Sequence, residues 1–495
     1  MGRALQHSGS TMLNLVPPNA AERLRALFRD AGYTEGNLVQ LGFRDLASTR
    51  LRNSARLLDR TRESTCLNTL LRWFWIGMPE PPQRGESLTS EFEQLLLASG
   101  LLCEQDGQLT PQAMLMETNG FLIASDHTSM IDRGDSELVL WPNPTSRLLL
   151  RMTIRRPSRA TLDLGTGTGI QALAAASHSE TVVATDLSPR AVKFAAFNAR
   201  LNGVGNVECV VGGGFDPVVG RKFDLIVSNP PFFISPSAHY LFCDSAMELD
   251  ELCRRLAKQA PDFLNEDGYF QMLCEWAQVQ GQPWQERITE WLGESGCDAW
   301  VMKGYSQDPA EYAEQRIRAT VSSSSRDAQL YDEYMAYYRQ RHVEAIDGGA
   351  IVMHRRSGHN WIQMEEISQT PKDPFGEAIV ATFAARDFLL AHSSDDQLLT
   401  MKPKLSPDAR LEQILQQEGA QWKRTALTLK LAKGFPFSLG LQPLVAEFLS
   451  AGDGSRTLAE LIEALASKVP VPGEQVQREC LDVMRKLIER GFVTW

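Results

Sequence analysis

The sequence predicts an α/β fold with a mainly parallel central sheet, flanked at both ends of the chain by helical or winged-helix-like modules. Between residues 138 and 300, short apolar runs alternate with helical segments, a pattern typical of consecutive β-α-β units. A glycine-rich turn follows the first apolar run and opens a helix. Before and after this region, apolar residues recur mostly at helical spacing.

The length of 495 residues predicts more than one domain. The composition turns polar, with two prolines, at residues 368–374, and we place a boundary there. The expected domains are a helical or winged-helix-like domain over 1–135, an α/β domain over 136–370 and a second helical or winged-helix-like domain over 371–495. The first is expected to hold helices followed by a small hairpin around Asp106. The last is expected to hold helices at 409–418, 458–467 and 475–490.

The central domain contains the clearest strand and helix patterns. Strands are predicted at 160–164, 181–185, 207–211, 223–228 and 268–274, with the last strands of the same sheet at 299–303 and 350–354. Helices are predicted at 170–176, 189–202 and 247–260. Because ligands of open α/β sheets bind at the carboxyl ends of the strands, the residues that follow these strands are candidate site residues.

Composition and charge limit the function. The formal net charge is −11, and phosphate contacts need Lys and Arg, so the chain as a whole is not a typical nucleic-acid binder. The eight cysteines include no Cys-x-x-Cys pair, so no metal site is expected. No apolar leader follows the first residues and no apolar run of about 18 residues occurs, so we expect a cytoplasmic protein without a membrane span.

The strongest local signal is a glycine-rich turn after the first strand. Gly165, Gly167 and Gly169 allow a sharp turn and a close approach by a ligand, because they lack a Cβ. The spacing is Gly-x-Gly-x-Gly, not the Gly-x-Gly-x-x-Gly of a dinucleotide site. The carboxylate of Asp163 suits a ligand with a cationic end and would be a poor neighbour for a pyrophosphate. Asp186, at the end of the second strand, has the placement at which a carboxylate accepts hydrogen bonds from ribose hydroxyls.

A second signal follows the fourth strand, in Asn229-Pro230-Pro231-Phe232. The two prolines fix φ and form a rigid corner at the end of the strand. The nitrogen of an amide or exocyclic amine is a poor nucleophile because its lone pair is delocalised. The side-chain carbonyl of Asn229 and the backbone carbonyl of Pro230 could both accept hydrogen bonds from one NH2 group, which would orient it and favour positive charge developing on nitrogen. Phe232 could stack on a planar substrate.

Together these motifs resemble those of the class I S-adenosylmethionine-dependent methyltransferases, and most of all the small-domain N-methyltransferases. That group includes release-factor glutamine methyltransferases and guanine or adenine methyltransferases of RNA and DNA. The resemblance covers residues 138–275 and implies a Rossmann-like sheet that binds S-adenosylmethionine. Residues 140–146 are similar to the segment that leads into the first strand in the glutamine methyltransferases.

The resemblance also implies roles for individual residues. The residues that match the catalytic motif are Asn229, Pro230, Pro231 and Phe232. The expected cofactor-binding residues are Asp163, Gly165, Thr166, Gly167, Gly169, Asp186, Leu187, Gly214, Phe215 and Asn229. Relatives often place an Asp or Ser near the adenine amino group after the third strand, where this chain has glycines. Adenine is therefore expected to meet backbone groups or the ring of Phe215.

These features predict an enzyme that transfers a methyl group from S-adenosylmethionine to a planar nitrogen of a macromolecule, either an RNA base or a protein glutamine side chain. Phe232 and the flanking modules favour RNA, whereas residues 140–146 favour a protein. Two alternatives stay open: a small-molecule methyltransferase, and a cofactor-sensing nucleic-acid-binding regulator without turnover. His239, Tyr240 and Asp244 could line the substrate pocket.

Overall fold

The computed structural model describes residues 13–41, 54–82, 88–127, 130, 136–236, 243–245, 247–320, 327–367 and 369–495. The chain divides into two compact units, one of Met1–Leu150 with Arg156–Ile367 and the other of Arg151–Arg155 with Ser368–Trp495. The division into three domains stays a prediction. None of the helices within the described ranges combines the length and the apolar composition that crossing a bilayer requires.

The first unit begins with helices and two small hairpins. Its first helices are α1 (Pro18–Asp30), α2 (Glu35–Gln40), α3 (Ser54–Arg60), α4 (Cys66–Leu71) and α5 (Ser90–Ala98), with a π-helical turn at Arg72–Ile76. The hairpins pair β1 (Leu102–Gln105) with β2 (Gln108–Pro111), and β3 (Met114–Thr118) with β4 (Phe121–Ser125). The predicted order of helices followed by a hairpin is confirmed.

The α/β part follows. Its helices are α6 (Pro144–Met152), α7 (Ile170–Ala175), α8 (Pro189–Leu201), α9 (Glu251–Gln259), α10 (Trp284–Leu292), α11 (Pro309–Thr320) and α12 (Asp327–Gln340), with 3-10 turns at Asp216–Val218 and Ala260–Phe263. Its strands are β5 (Ser158–Leu164), β6 (Ser179–Asp186), β7 (Val207–Val211), β8 (Phe223–Ser228), β9 (Leu264–Val279), β10 (Cys297–Gln307), β11 (Val343–Arg355) and β12 (Ile362–Glu366).

The central sheet of the described residues has eight strands in the order β12-β10-β11-β9-β8-β5-β6-β7. Neighbours from β7 to β9 run parallel, whereas β11 is antiparallel to both β9 and β10. The predicted α/β fold with a Rossmann-like sheet is confirmed, since the strand order reverses direction at β5 as in doubly wound sheets. Strand β12 was not predicted from the sequence.

The second amino-terminal hairpin, formed by β3 and β4, is joined to helix α8 by two asparagine side chains. The N–H of Ala124 donates to Asn198 Oδ1 at 2.8 Å, and Asn198 Nδ2 donates back to the Ala124 carbonyl at 2.9 Å. Asn202 forms the same pair of bonds with Leu122, at 2.9 and 2.8 Å. The two amides thus satisfy backbone groups of β4 much as a neighbouring strand would.

The second unit is built from helices and short antiparallel strands. Its helices are α13 (Gly376–Ala391), α14 (Asp395–Leu399), α15 (Pro443–Ser450), α16 (Leu458–Ala466) and α17 (Gly473–Glu489). Its strands are β13 (Lys404–Leu405), β14 (Ala409–Glu418), β15 (Gln421–Leu431), β16 (Ser438–Gly440) and β17 (Val493–Thr494). The helices predicted at 458–467 and 475–490 are confirmed, and the last strand pairs with β13.

The helix predicted at 409–418 is wrong. Ala409–Glu418 is strand β14, which pairs antiparallel with β15 along its whole length. Leu411, Ile414 and Leu415 have the spacing of one helix face, which suggested the helix. Gly419 has a φ of +61°, a left-handed conformation that turns the chain back on itself. Pairing with the following strand therefore overrides the local helical spacing.

Candidate active site

The two sequence motifs lie side by side at one edge of the central sheet. Strand β5 lies between β6 and β8, and the last residues of the three strands are in register. Gly165, Asp186 and Asn229 stand at these three strand ends. Adjacent strands lie about 4.8 Å apart, which places Asp186 and Asn229 roughly 10 Å from each other with Gly165 between them. This is the sheet edge at which open α/β folds bind ligands.

The carboxylate of Asp186 ties the glycine turn to the end of β6. Its Oδ2 accepts the N–H of Gly167 at 2.9 Å, and its Oδ1 accepts the N–H of Ser188 at 2.9 Å. The N–H of Thr166 donates to the carbonyl of Thr185 at 2.8 Å. Burial raises the pKa of Asp186, while the two backbone donors favour its ionised form. The turn therefore holds its shape through the protein's own hydrogen bonds.

The carboxylate of Asp163 also stabilises the glycine turn through hydrogen bonds. Its Oδ2 accepts the hydroxyl of Thr166 at 2.6 Å and the N–H of Ala172 at 3.0 Å. Asp163 is only 1% exposed. Burial raises the pKa of Asp163 to about 7, and the nearby carboxylate of Asp186 adds to the increase. One oxygen of Asp163 thus bonds both the glycine turn and the first turn of helix α7, a structural role next to its predicted role at the ligand.

The raised pKa of Asp163 makes the stability of the first unit depend on pH. In the unfolded chain this carboxyl ionises near pH 3.8, and in the folded chain near pH 7. Between these values the folded state binds more protons, so rising pH lowers the free energy of unfolding by about 1.4 kcal/mol per pH unit. From pH 5 to pH 8 we expect the free energy of unfolding of the wild type to fall by about 3 kcal/mol more than that of Asp163→Asn.

Urea unfolding of both proteins at pH 5 and pH 8 measures this difference. Asparagine keeps the side-chain oxygen that accepts from Thr166 and Ala172 but has no proton to lose in this range. If the free energies of unfolding of the two proteins change in parallel with pH, the carboxyl of Asp163 is not the group that titrates.

Of three residues predicted to bind the cofactor, Leu187 and Gly214 leave open surface beside the turn, whereas Phe215 is buried. Leu187 is 62% exposed directly after Asp186, and Gly214 has open space where a Cβ would stand. The ring of Phe215 is 3% exposed and stacks on Phe263 in the core, with ring centroids 4.4 Å apart. A ring packed in this way has no face left for a ligand. The predicted contact between adenine and this ring is therefore corrected, and the backbone around Gly214 stays the predicted alternative.

The side-chain amide of Asn229 has one satisfied end and one unsatisfied end. Its Nδ2 donates to Thr145 Oγ1 and to Ser146 Oγ, both at 3.4 Å. Its Oδ1 is buried and has no hydrogen-bond partner among the described residues. Leaving a buried acceptor unpaired costs about 1–3 kcal/mol, so such an atom in a folded protein calls for a reason. A donor on a bound ligand would provide one.

The other residues of the Asn-Pro-Pro-Phe motif are buried or half-buried next to Asn229. Pro230 is buried, whereas Pro231 and Phe232 are half-buried. Phe232 packs edge-to-face on Phe233, with centroids 5.7 Å apart and an interplanar angle of 60°. The guanidinium of Arg316 stands 3.6 Å from the centroid of the Phe233 ring. The partly open ring of Phe232 thus packs on a second ring, and that second ring in turn contacts a cation.

Two buried tyrosines hold the segment after the motif. The N–H of Ile234 donates to the hydroxyl of Tyr312 at 3.1 Å, and the hydroxyl of Tyr338 donates to the carbonyl of Ile234 at 2.7 Å. Arg316 bonds to Glu275 of β9 at 2.6 Å. The sequence carries no local signal for these contacts, because they join residues that are far apart along the chain.

Asn198 is another supporting residue that the sequence did not single out. Besides its bonds to β4, its Nδ2 donates to the carbonyl of Thr168 in the glycine turn at 2.8 Å. The one available signal was a polar residue at a buried helix position, next to Phe197. This asparagine connects the hairpin of β3 and β4 to the turn.

The predicted pocket residues after the motif are only partly described. His239 and Tyr240 lie outside the described residues. Asp244 is buried, and its Oδ1 accepts the hydroxyl of Ser235 at 2.8 Å. In the described part of this loop, Asp244 therefore bonds a side chain close to the motif.

Comparison with known proteins identifies the family. The profile of the family "Methyltransferase small domain" matches residues 142–282, and a profile described as a domain of unknown function (DUF7782) matches residues 380–495. A release factor glutamine methyltransferase of Xylella fastidiosa is 32% identical over 194 residues, which cover 36% of this chain and 68% of that protein. A release factor glutamine methyltransferase of Aliivibrio fischeri is 39% identical over 110 residues, 21% of this chain and 39% of that protein.

A ribosomal protein L11 methyltransferase of Rhodopseudomonas palustris is 49% identical over 87 residues, which cover 16% of this chain and 30% of that protein. The chain thus spans about two thirds of the first relative and less than half of the other two. The residues that the family profile matches, 142–282, include the glycine turn and the Asn229 corner. The chain belongs to the small-domain methyltransferase family that includes the release factor glutamine methyltransferases, and it is an S-adenosylmethionine-dependent methyltransferase.

Proposed function

We propose that this chain methylates the side-chain amide nitrogen of a glutamine in a protein, with Asn229 receiving the amide NH2. The observation that carries the proposal is the buried, unpaired Oδ1 of Asn229 beside the glycine turn. An amide NH2 has two donors, and one of them would satisfy this acceptor. The backbone carbonyl of Pro230 is the proposed acceptor for the other donor.

The surface around the glycine turn fits S-adenosylmethionine. A Cβ built on Gly165 would meet no atom within 4 Å, so the backbone of the turn is open to close approach. The carboxylate of Asp186 can accept from ribose hydroxyls with the lone pairs that its backbone donors leave free. The exposed side chain of Leu187 offers apolar surface to an adenine ring. The other proposed holders of the cofactor are Asp163, Thr166, Gly167, Gly169 and the backbone at Gly214.

The cofactor supplies an electrophilic methyl group on a cationic sulfur. The chain's own residues orient the nitrogen and stabilise the charge that it gains as it attacks. The Oδ1 of Asn229 holds the NH2 group so that its lone pair points towards the cofactor side of the site. As positive charge develops on nitrogen, the hydrogen bond to this oxygen becomes stronger, which favours the transition state over the ground state. No strong base is needed, because the nitrogen can lose a proton after transfer.

Two arguments support a protein substrate over RNA. The relatives reported above are named for the release factor and ribosomal protein that they methylate. The formal net charge of −11 opposes the approach of a polyanion. The half-open ring of Phe232 suits any planar group, an amide or a base, and does not separate the two. The cytoplasmic location stays a prediction.

Transfer of radioactive methyl groups tests the proposal. The purified chain is incubated with methyl-tritiated S-adenosylmethionine and an extract of cells that lack the chain. We expect the label in a fraction that protease destroys and ribonuclease does not. Acid hydrolysis should release the label as methylamine, because hydrolysis of an N-methylated side-chain amide frees the amine.

Each other outcome points to a different function. Loss of label on ribonuclease treatment would mean an RNA substrate. Label that survives both enzymes in a low-molecular-weight fraction would mean a small-molecule methyltransferase. Binding of S-adenosylmethionine in calorimetry with no transfer to any fraction would favour the regulator that senses the cofactor without turnover.

A further inference from the structure

We propose that Asn143 is a positioning residue that fixes which way the side-chain amide of Asn229 faces. This inference rests on the proposed function, because it concerns the acceptor assigned to Asn229 there. An asparagine amide can rotate by 180° and so exchange the places of its oxygen and its NH2 group. Only one of the two orientations offers a carbonyl oxygen to the NH2 group of a substrate.

The first step is the orientation of Asn143 itself. Asn143 directly precedes helix α6, and the backbone N–H of Ser146 donates to Asn143 Oδ1 at 2.9 Å. A backbone N–H can only donate, so the atom that faces it must be an acceptor. The Asn143 amide is therefore locked with its oxygen towards the first turn of α6, as in a typical helix N-cap.

The second step is the orientation of two hydroxyl groups. Thr145 Oγ1 donates to Asn143 Oδ1 at 2.6 Å, and Ser146 Oγ donates to the same oxygen at 3.2 Å. A hydroxyl group has one proton and two lone pairs. Because both protons are engaged by Asn143, both hydroxyls present lone pairs to any other neighbour.

The third step reaches the site. The group of Asn229 that lies 3.4 Å from both hydroxyl oxygens must be a donor, which is its Nδ2. Its Oδ1 is thereby turned to the other side, where it is buried and lacks a partner among the described residues. One unambiguous donor, the N–H of Ser146, thus determines the orientation of Asn229 through Asn143 and two hydroxyls.

The same reasoning gives the consequence of removing the Asn143 oxygen. The hydroxyls of Thr145 and Ser146 would then be free to donate to Asn229 instead. Rotation of the Asn229 amide would pair its oxygen with a hydroxyl proton and leave its NH2 group unpaired instead, so neither orientation would be strongly favoured in the free enzyme. In the rotated form an NH2 group would face the NH2 group of the substrate, and two donors cannot bond.

Asn143→Gly removes the oxygen and keeps a residue that is accepted at a helix N-cap. We measure the initial rate of labelling of extract proteins below saturation with methyl-tritiated S-adenosylmethionine. The rate should fall about two- to threefold, because the competent form becomes only about half of the population. The dissociation constant of S-adenosylmethionine should stay the same. Asn143→Asp, which has acceptors only, should label at the wild-type rate.

A double variant separates positioning from a general structural role. Thr145→Val with Ser146→Ala removes both hydroxyls, through which Asn143 is proposed to act. On its own this pair should lower the rate about threefold, since Nδ2 loses its acceptors. Adding Asn143→Gly should then cause no further loss, because its route to Asn229 is gone. A merely structural role would make the triple variant slower than the pair.

Thr89→Gly is the matched control, because Thr89 caps helix α5 by accepting the N–H of Phe92 at 3.2 Å and does not contact the site. It should leave the labelling rate unchanged. The inference is overturned if Asn143→Gly labels at the wild-type rate, if Asn143→Asp is as slow as Asn143→Gly, or if the triple variant is slower than Thr145→Val with Ser146→Ala. Loss of labelling in Asn229→Ala together with a normal rate in Asn143→Gly would reject the positioning role alone. Normal labelling in Asn229→Ala would reject the proposed function.

Discussion

Replacing Asn229 by alanine is expected to lower kcat for methyl transfer about 10²–10³-fold, the loss seen when one preorganised hydrogen-bonding group is removed from a site of charge development. The buried Oδ1 of Asn229 interacts with the substrate most strongly when the nitrogen carries positive charge. The loss should therefore fall on kcat more than on substrate binding. The sequence also predicts a cofactor contact for Asn229, but the proposed function assigns the cofactor to the glycine turn and Asp186. The dissociation constant of S-adenosylmethionine, measured by calorimetry, should therefore change less than about threefold.

Asn265→Ala is the matched control for this experiment. Asn265 also bonds through its Nδ2, to Asp224 Oδ1 at 2.7 Å, but at the opposite end of β8 from the site. It should keep wild-type kcat. Similar losses in both variants would mean that Asn229 serves the fold only, and wild-type kcat in Asn229→Ala would mean that another group receives the nitrogen.

The parallel strands could be predicted because each has a local cause. Val207–Val211 and Phe223–Ser228 have the predicted bounds. Strand β5 ends as predicted, at Leu164, but begins at Ser158, and β6 extends over Ser179–Asp186 instead of 181–185. Buried parallel strands are continuous apolar runs, and helices that begin with Pro or end near Gly separate them. The positions of the glycine turn and of Asn229 at one sheet edge follow from that order of strands.

The features that the sequence predicted wrongly or did not predict have a common physical cause. At each of them, a residue distant in sequence determines the structure. Strand β14 forms because β15 pairs with it, although its own spacing is helical. Phe215 was assigned to the ligand on its place after the third strand, but Phe263 of the core takes its ring face. The bond between Asn229 and Thr145 joins residues 84 positions apart, and no local pattern in either segment predicts it.

Gly169→Ala is expected to destabilise the first unit by about 2–5 kcal/mol, the sum of left-handed backbone strain and a steric clash in a packed region. Gly169 has a φ of +84°, which a residue with a Cβ adopts only at a cost. A Cβ at this position would also lie 3.0 Å from the Cα of Ala195 in helix α8. That atom belongs to a helix backbone and cannot move aside as a flexible side chain would.

Gly165→Ala gives the matched comparison within the same turn. Gly165 has a φ of +77°, so the backbone strain is similar, but a Cβ there would meet nothing within 4 Å. We expect a loss of about 1–2 kcal/mol in the free energy of unfolding. The added methyl group would instead occupy the space proposed for the cofactor, and affinity for S-adenosylmethionine should fall about 10–100-fold.

Urea unfolding and calorimetry on both variants therefore test two functions of one turn. Gly169 is required where the turn packs against α8, so its replacement should affect stability first and cofactor binding only through the fold. Gly165 is required where the turn faces open space, so its replacement should affect binding first. If Gly165→Ala binds S-adenosylmethionine as the wild type does, the cofactor does not lie over this turn. If Gly169→Ala is no less stable than Gly165→Ala, helix α8 can move to make room for the added methyl group. Close packing against α8 would then not explain why glycine is required at position 169.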